Sequence, residues 1–240
     1  ALDPLEGTTL TAKAMSNALA VVALATEGGL LHAPDVYMDK IAIGPGFPEG
    51  TVDLDAPAEE NILNIAKAKN EKPENITVCC LDRERHQSII QAARKVGARV
   101  ALISDGDVAG VFHVTSPEET GIDLYLGSGG APEGVLAAAA LRCVGGQMQG
   151  RLQFADDAEL ARAEKAGITD LNRKYGLMDM ASGDVMFAAT GVTDGTMLRG
   201  VRWRGDKVTT QTMVMRSKSG TVRIIDAVSR ADSFNRGYRS

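Results

Sequence analysis

The sequence predicts an α/β fold whose second half alternates strand and helix. Three observations carry this prediction. After residue 75 the short apolar runs ITVCCL, RVALI and GIDLYL are each followed by a segment of helical pattern, ERHQSIIQAARKVG, DVAGVFHV and PEGVLAAAALRCVGG in turn. Such alternation implies parallel strands joined by right-handed crossovers. Near both ends, by contrast, apolar runs are punctuated by glycine turns. The composition, 44% hydrophobic and 24% charged over 240 residues, is that of a globular chain able to bury a substantial core.

Taken in order, the chain opens on DPLEGTT, residues 3–9. Asp3 and Glu6 stand at i and i+3 across a turn stiffened by Pro4, so their carboxylates can converge on one hard cation. Gly7 permits close backbone approach, and the amides of Gly7 and Thr8 could cradle a phosphate. The Thr8 hydroxyl could orient or deprotonate a metal-activated water. The simpler reading is a helix cap of the form Asp-x-x-Glu, although hydroxyls and a strand-like run follow it here. SNALAVVALAT (16–26), a Gly28-Gly29 turn and LLHAPDVYMDKIAIG (30–44) read as a hairpin of buried strands, kinked at Ala33-Pro34-Asp35.

DAPAEENILNIAKAK reads as a helix with Asp55 as N-cap and lysines in its last turn, burying Ile62, Ile65 and Ala66. The polar connector 70–75, with Pro73, divides the chain into 1–75 and 76–240. Residues 156–175 read as a charged helix. From Asp184 onward strands are expected, with turns at 193–195, 205–206 and 219–220, before a polar tail, SRADSFNRGYRS, that frays.

The formal charge of −5 argues against a nucleic-acid or anionic-membrane partner. No run approaches the roughly 18 apolar residues of a membrane span. Cys79, Cys80 and Cys143 lack metal-binding or disulfide spacing and sit in apolar contexts, as buried thiols of a reducing cytoplasm would. His32, His86 and His113 are scattered, which disfavours zinc. Arg204-Gly205-Asp206 is a turn, and Met178, Met180, Met213 and Met215 are core filler.

Each of the three strands after residue 75 ends in polar residues where its helix begins. The first releases Asp82, Arg83, Arg85 and His86, the second Asp105 and Asp107, the third GSGGAPEG with Glu133. Ligands of open α/β sheets bind outside the carboxyl ends of strands, so the three clusters are expected to line one pocket. Arginines that fork phosphate and carboxylates that accept from hydroxyls suit a phosphorylated, hydroxyl-rich ligand. GSGGAPEG lacks the lysine of a P-loop and the third glycine of a dinucleotide fingerprint. It reads instead as a glycine turn with Pro132 at the first helical position. Tyr37, with Lys40 nearby, is a core aromatic or a ligand contact.

DPLEGT resembles the metal-site motif of the lithium-sensitive, magnesium-dependent phosphatases. With NALAVVALA, HAPDVYMDKIAIGPG, SDGDVAG, GSGGAPEGVLAAAALR and FAATGVTDG, the chain resembles class II fructose-1,6-bisphosphatases from Asp3 to about Asp226. The resemblance implies a layered α-β-α-β-α sugar-phosphatase architecture. Residues 1–75 would be the remainder of an N-terminal metal- and phosphate-binding domain, and 76–240 an α/β substrate-binding domain with terminal strands.

It further implies a cytoplasmic hydrolase of gluconeogenesis or the Calvin cycle. Such an enzyme removes the 1-phosphate of fructose 1,6-bisphosphate, and in photosynthetic relatives acts on sedoheptulose 1,7-bisphosphate. Mg2+ or Mn2+ would be held by Asp3, Glu6 and Glu133, with Thr8 assisting the attacking water. Glu6, Gly7, Thr8, Tyr37, Arg83, Arg85, Asp105, Asp107 and Gly130 would contact substrate, and the assembly would be a dimer or tetramer. Arg83 is often Lys in this family. The family's metal site also draws on an upstream segment with further acids, so these 240 residues alone are expected to show weak or no phosphatase activity. The competing readings are an inositol or other sugar phosphatase, and a non-catalytic sugar-phosphate-binding module.

Overall fold

A computed structural model of the chain describes residues 1–232. Its elements are β1 (Leu2–Glu6), α1 (Thr8–Ala12), β2 (Leu19–Ala25), β3 (Tyr37–Ile43), α2 (Ala58–Lys69), β4 (Thr77–Leu81), α3 (Gln87–Lys95), β5 (Arg99–Ile103), α4 (Asp107–His113), α5 (Pro117–Thr120), β6 (Leu124–Gly130), α6 (Ala131–Val144), β7 (Gln147–Gln153), α7 (Asp157–Lys165), β8 (Lys174–Gly176), α8 (Leu177–Met180), β9 (Val185–Gly191), β10 (Arg202–Arg204), β11 (Lys207–Arg216) and β12 (Thr221–Arg230). They form two six-stranded sheets. Among the described residues no helix is long and apolar enough to cross a membrane.

The first sheet is antiparallel and built from both ends of the chain, in the order β1-β2-β9-β11, with β10 and β12 also pairing β11. The second has the order β5-β4-β6-β3-β7-β8. The predicted alternation holds there: β4 lies parallel to both β5 and β6, which sets their carboxyl ends side by side. β3 then runs antiparallel between β6 and β7.

α6 explains how the sheets are held. Between Glu133 and Arg142 its sequence is apolar on every side, the signature of a helix buried all round, and Ala137–Ala140 are at most 1% exposed. It packs on β2, β9 and β11 of one sheet and on β3, β6 and β7 of the other. Small alanines let both sheets approach the helix closely. α2 and α3 bury Ile62, Ile65, Ile90 and Ala93, and Ile62, Ile65 and Ala93 join Ile41, Ile43, Val78 and Leu124 of the second sheet in one core.

Several local expectations are corrected. β2 and β3 are not a hairpin; they lie in different sheets, the Pro34 segment carrying the chain across. Both runs are apolar enough to fit either sheet, so the local pattern does not choose their partners. The opening turn is strand β1, followed after all by a short helix, α1. GSGG is not a turn but the end of β6, Gly127–Gly130 pairing Lys40–Tyr37 of β3, and Pro132 is the second rather than the first residue of α6. α2 begins at Ala58 with Pro57 before it; Asp55 instead pairs with Arg151 and Lys174. The charged helix 156–175 shortens to α7, because Gly167 turns the chain at a φ of 83° and Lys174–Gly176 join the second sheet as β8.

Met180, Met213 and Met215 are core residues, whereas Met178 is exposed. The three cysteines are free and buried. Burial pushes the thiol of Cys79 up to about 12 and those of Cys80 and Cys143 to about 11. Of the tail expected to fray, residues 233–240 lie outside the described residues.

Candidate active site

The junction between the sheets is built from the first residues of α4 and α6 and the end of β1. β1 carries a bulge: Asp3 faces Val21 and Glu6 faces Leu19, so three steps on β1 answer two on β2. In a regular strand residues three apart point to opposite faces. The extra residue in Pro4-Leu5 reverses that parity and puts both acids on the inner face. Glu6 is 5% exposed. Burial first, and then its hydrogen bond to Asp3, raise its pKa to about 8, against the opposing bond from the Val108 amide to Oε1 at 2.7 Å.

Gly106, at a φ of 89°, turns the chain from β5 into α4, and Asp107 is the first residue of that helix. Its carboxylate is buried and both oxygens are engaged, Oδ2 by Lys40 Nζ and Oδ1 by the Tyr125 hydroxyl. Lys40 Nζ also donates to the Gly130 carbonyl at 2.7 Å. Glu133 stands in the first turn of α6 and folds its carboxylate back over Gly130, where a Cβ would collide with it. Burial raises the Glu133 pKa, and the negative charges of Asp107 and Asp3 add to that while Lys40 opposes it.

The other candidates flank this centre in two groups. Arg85 donates to the Ser128 carbonyl at 2.8 and 3.2 Å, with its guanidinium 5.1 Å from the centre of the Tyr37 ring; Tyr37 in turn pairs with Gly130. On the other side Asp105 accepts from the Thr9 amide at 3.1 Å and lies 3.9 Å from Arg83. Gly7, left-handed at a φ of 82°, turns β1 into α1, and exposed Thr8 opens that helix. The clusters open into separate cavities. Arg85 lines one of about 660 Å³, Asp105 one of about 380 Å³, and Tyr37, Gly130 and Glu133 share one of about 370 Å³.

Among the described residues no three His, Cys, Asp or Glu side chains stand together as a set able to hold a metal. Two do converge, Asp3 and Glu6, and Glu133 is near enough for Asp3 to disfavour its ionisation. Hard carboxylate oxygens, wholly or partly buried and mutually repelling, suit a divalent cation in kind.

Sequence reasoning did not assign the parts played by Lys40, Tyr125 and His86. His86 is buried, with Nδ1 2.8 Å from the Leu81 carbonyl and Nε2 accepting from the Ser128 amide at 2.8 Å. The Leu81 carbonyl takes the Nδ1 proton, so the ring pins α3 to the end of β6 as a neutral imidazole, and burial lowers its pKa. The sequence signal for Lys40 was a lysine set, beside Asp39, in the otherwise apolar run MDKIAI, since a buried lysine must find a partner.

The model of the bacterial, glpX-encoded fructose-1,6-bisphosphatase family matches residues 1–229. The chain is 42% identical over 247 residues to the D-fructose 1,6-bisphosphatase class 2/sedoheptulose 1,7-bisphosphatase of Synechococcus sp. (strain JA-3-3Ab), covering 97% of this chain and 70% of that one. It is 41% identical over 241 residues to the protein of the same description from Microcystis aeruginosa, covering 95% and 69%.

Proposed function

The chain belongs to the bacterial, glpX-encoded fructose-1,6-bisphosphatase family, and on that premise we propose that it hydrolyses the 1-phosphate of fructose 1,6-bisphosphate. A water oxygen bonds to phosphorus, the phosphorus–oxygen bond to C1 breaks, and the sugar oxygen leaves as a hydroxyl once protonated. Fructose 6-phosphate and inorganic phosphate result. Sedoheptulose 1,7-bisphosphate, named in the relatives' descriptions, presents the same ester chemistry and is the second substrate proposed.

The observation that carries the reading is the hydrogen-bonded acid pair of half-buried Asp3 and buried Glu6, held beside Asp107 and Glu133 at the junction of two sheets. The family depends on a divalent metal, and we assign Mg2+ or Mn2+ to Asp3, Glu6 and Glu133. Bound there, the ion supplies Lewis acidity and an activated water. The chain's own groups do the rest. Thr8 orients the water, Gly7 and Thr8 lie against the reacting phosphate, and Asp105 and Asp107 meet the sugar hydroxyls, Asp105 being the more accessible. Arg83, Arg85 and Tyr37, with Gly130, grip the distant phosphate end, which positions the reacting one.

The test is phosphate release from fructose 1,6-bisphosphate, sedoheptulose 1,7-bisphosphate and inositol 1-phosphate with either metal. Preference for a sugar bisphosphate is expected. Preference for the inositol ester overturns the substrate, and tight binding without turnover by the full-length form as well as by these 240 residues favours the non-catalytic module. A cytoplasmic location is proposed from the three free buried thiols. A dimer or tetramer, proposed from family resemblance, is checked by light scattering.

A further inference from the structure

Lys40 lies in the middle of β3 and has no exposure to solvent. A lysine is stable there only if its charge is paired and its N–H groups have acceptors. Nζ meets both needs through the Asp107 carboxylate and the Gly130 carbonyl. Glycines keep its path open. β3 pairs Lys40 with Gly127 on one side and Gly150 on the other, and a Cβ on Gly134 would come within 3.3 Å of Lys40 Cδ.

The two groups that Lys40 grips belong to different parts of the junction. Asp107 opens α4, whose Val108 amide holds Glu6 of the first sheet. Gly130 ends β6 of the second sheet, three residues before Glu133 in α6, the helix between the sheets. We propose that Lys40 is a positioning residue that ties α4 to the β6–α6 junction and so fixes the Asp3–Glu6 pair relative to Glu133. The proposal rests on the reading of those three acids as the metal donors.

Positioning and simple charge have opposite signatures. As a mere positive neighbour Lys40 repels a divalent cation, so its loss would tighten metal binding; as a positioning residue its loss weakens it. Lys40→Met alone leaves Asp107 buried and unpaired, which threatens folding. Lys40→Met/Asp107→Asn removes one charge of each sign, leaves the net charge of the pair unchanged and lets Tyr125 donate to the amide oxygen.

Mn2+ binding to wild type and both variants is followed by the electron paramagnetic resonance signal of the free ion. Fructose 1,6-bisphosphate binding is followed by calorimetry, and folding by thermal melting. The expected result is a folded double variant that binds Mn2+ about tenfold more weakly or worse, the scale of losing a group that orients metal ligands. A folded double variant whose Mn2+ affinity equals or exceeds that of wild type overturns the proposal. Wild type that binds neither Mn2+ nor the bisphosphate overturns the reading of the site as well, which distinguishes the two failures.

Discussion

The Asp107 carboxylate occupies the space that a Cβ on Gly129 would need. GSGG is glycine-rich there because a buried ion pair passes beneath the strand end, and an added methyl must either displace Asp107 from Lys40 or push β6 away from β3. Gly129→Ala is therefore expected to lower stability by about 1–3 kcal/mol, the cost of overpacking, and to reduce hydrolysis. Urea unfolding and phosphate release check both, with Ser128→Ala, its neighbour, as the comparison. Unchanged stability in Gly129→Ala would falsify the packing account.

Arg85 pairs its guanidinium plane with the Tyr37 ring and donates twice to the Ser128 carbonyl. Lysine keeps the charge but loses the fork and the stacking surface. Arg85→Lys is expected to raise KM for fructose 1,6-bisphosphate severalfold while changing kcat little, if the arginine grips the non-reacting phosphate. Steady-state kinetics on a bisphosphate and a monophosphate decide the matter, because a similar rise on both contradicts that role.

His113 is 5% exposed, and burial lowers its pKa to about 4. In the unfolded chain it titrates near its ordinary value of 6.5. Below that value the unfolded state binds a proton that the folded state refuses, so stability falls as pH drops from 6.5 towards 4. Between pH 7 and pH 5 the loss from this group is about 2 kcal/mol. Urea unfolding at both pH values should show a smaller pH dependence in His113→Leu than in wild type.

Phe112 in α4 and Phe187 in β9 stack with ring centres 5.8 Å apart, each 1% exposed. They join the helix that carries Asp107 to the first sheet. Phe112→Ala is expected to cost about 3–5 kcal/mol through lost burial and a cavity. A melting midpoint within a degree or two of wild type would contradict that placement.

The alternation after residue 75 was legible because each strand and helix there is read from its own period, and glycines at 97 and 145 close α3 and α6. The acids of DPLEGTT stood out because their chemistry suits a cation whatever their exact backbone. The bulge that makes Asp3 and Glu6 share a face was not legible, since it depends on β1 pairing with β2 out of step. Arg83 and Arg85, adjacent in pattern, part company in space, one towards Asp105 and the other towards Tyr37 and Ser128.

By itself the sequence determined the strand–helix alternation after residue 75 and the family, because these follow from local periodicity and from residues kept in order along the chain. Only the tertiary structure decided that β2 and β3 part into different sheets, that GSGG is a strand end, and that Lys40 stands between Asp107 and Gly130. Those outcomes depend on strand partners far away in the chain and on the need to pair a buried charge. Neither is written in any short stretch of residues.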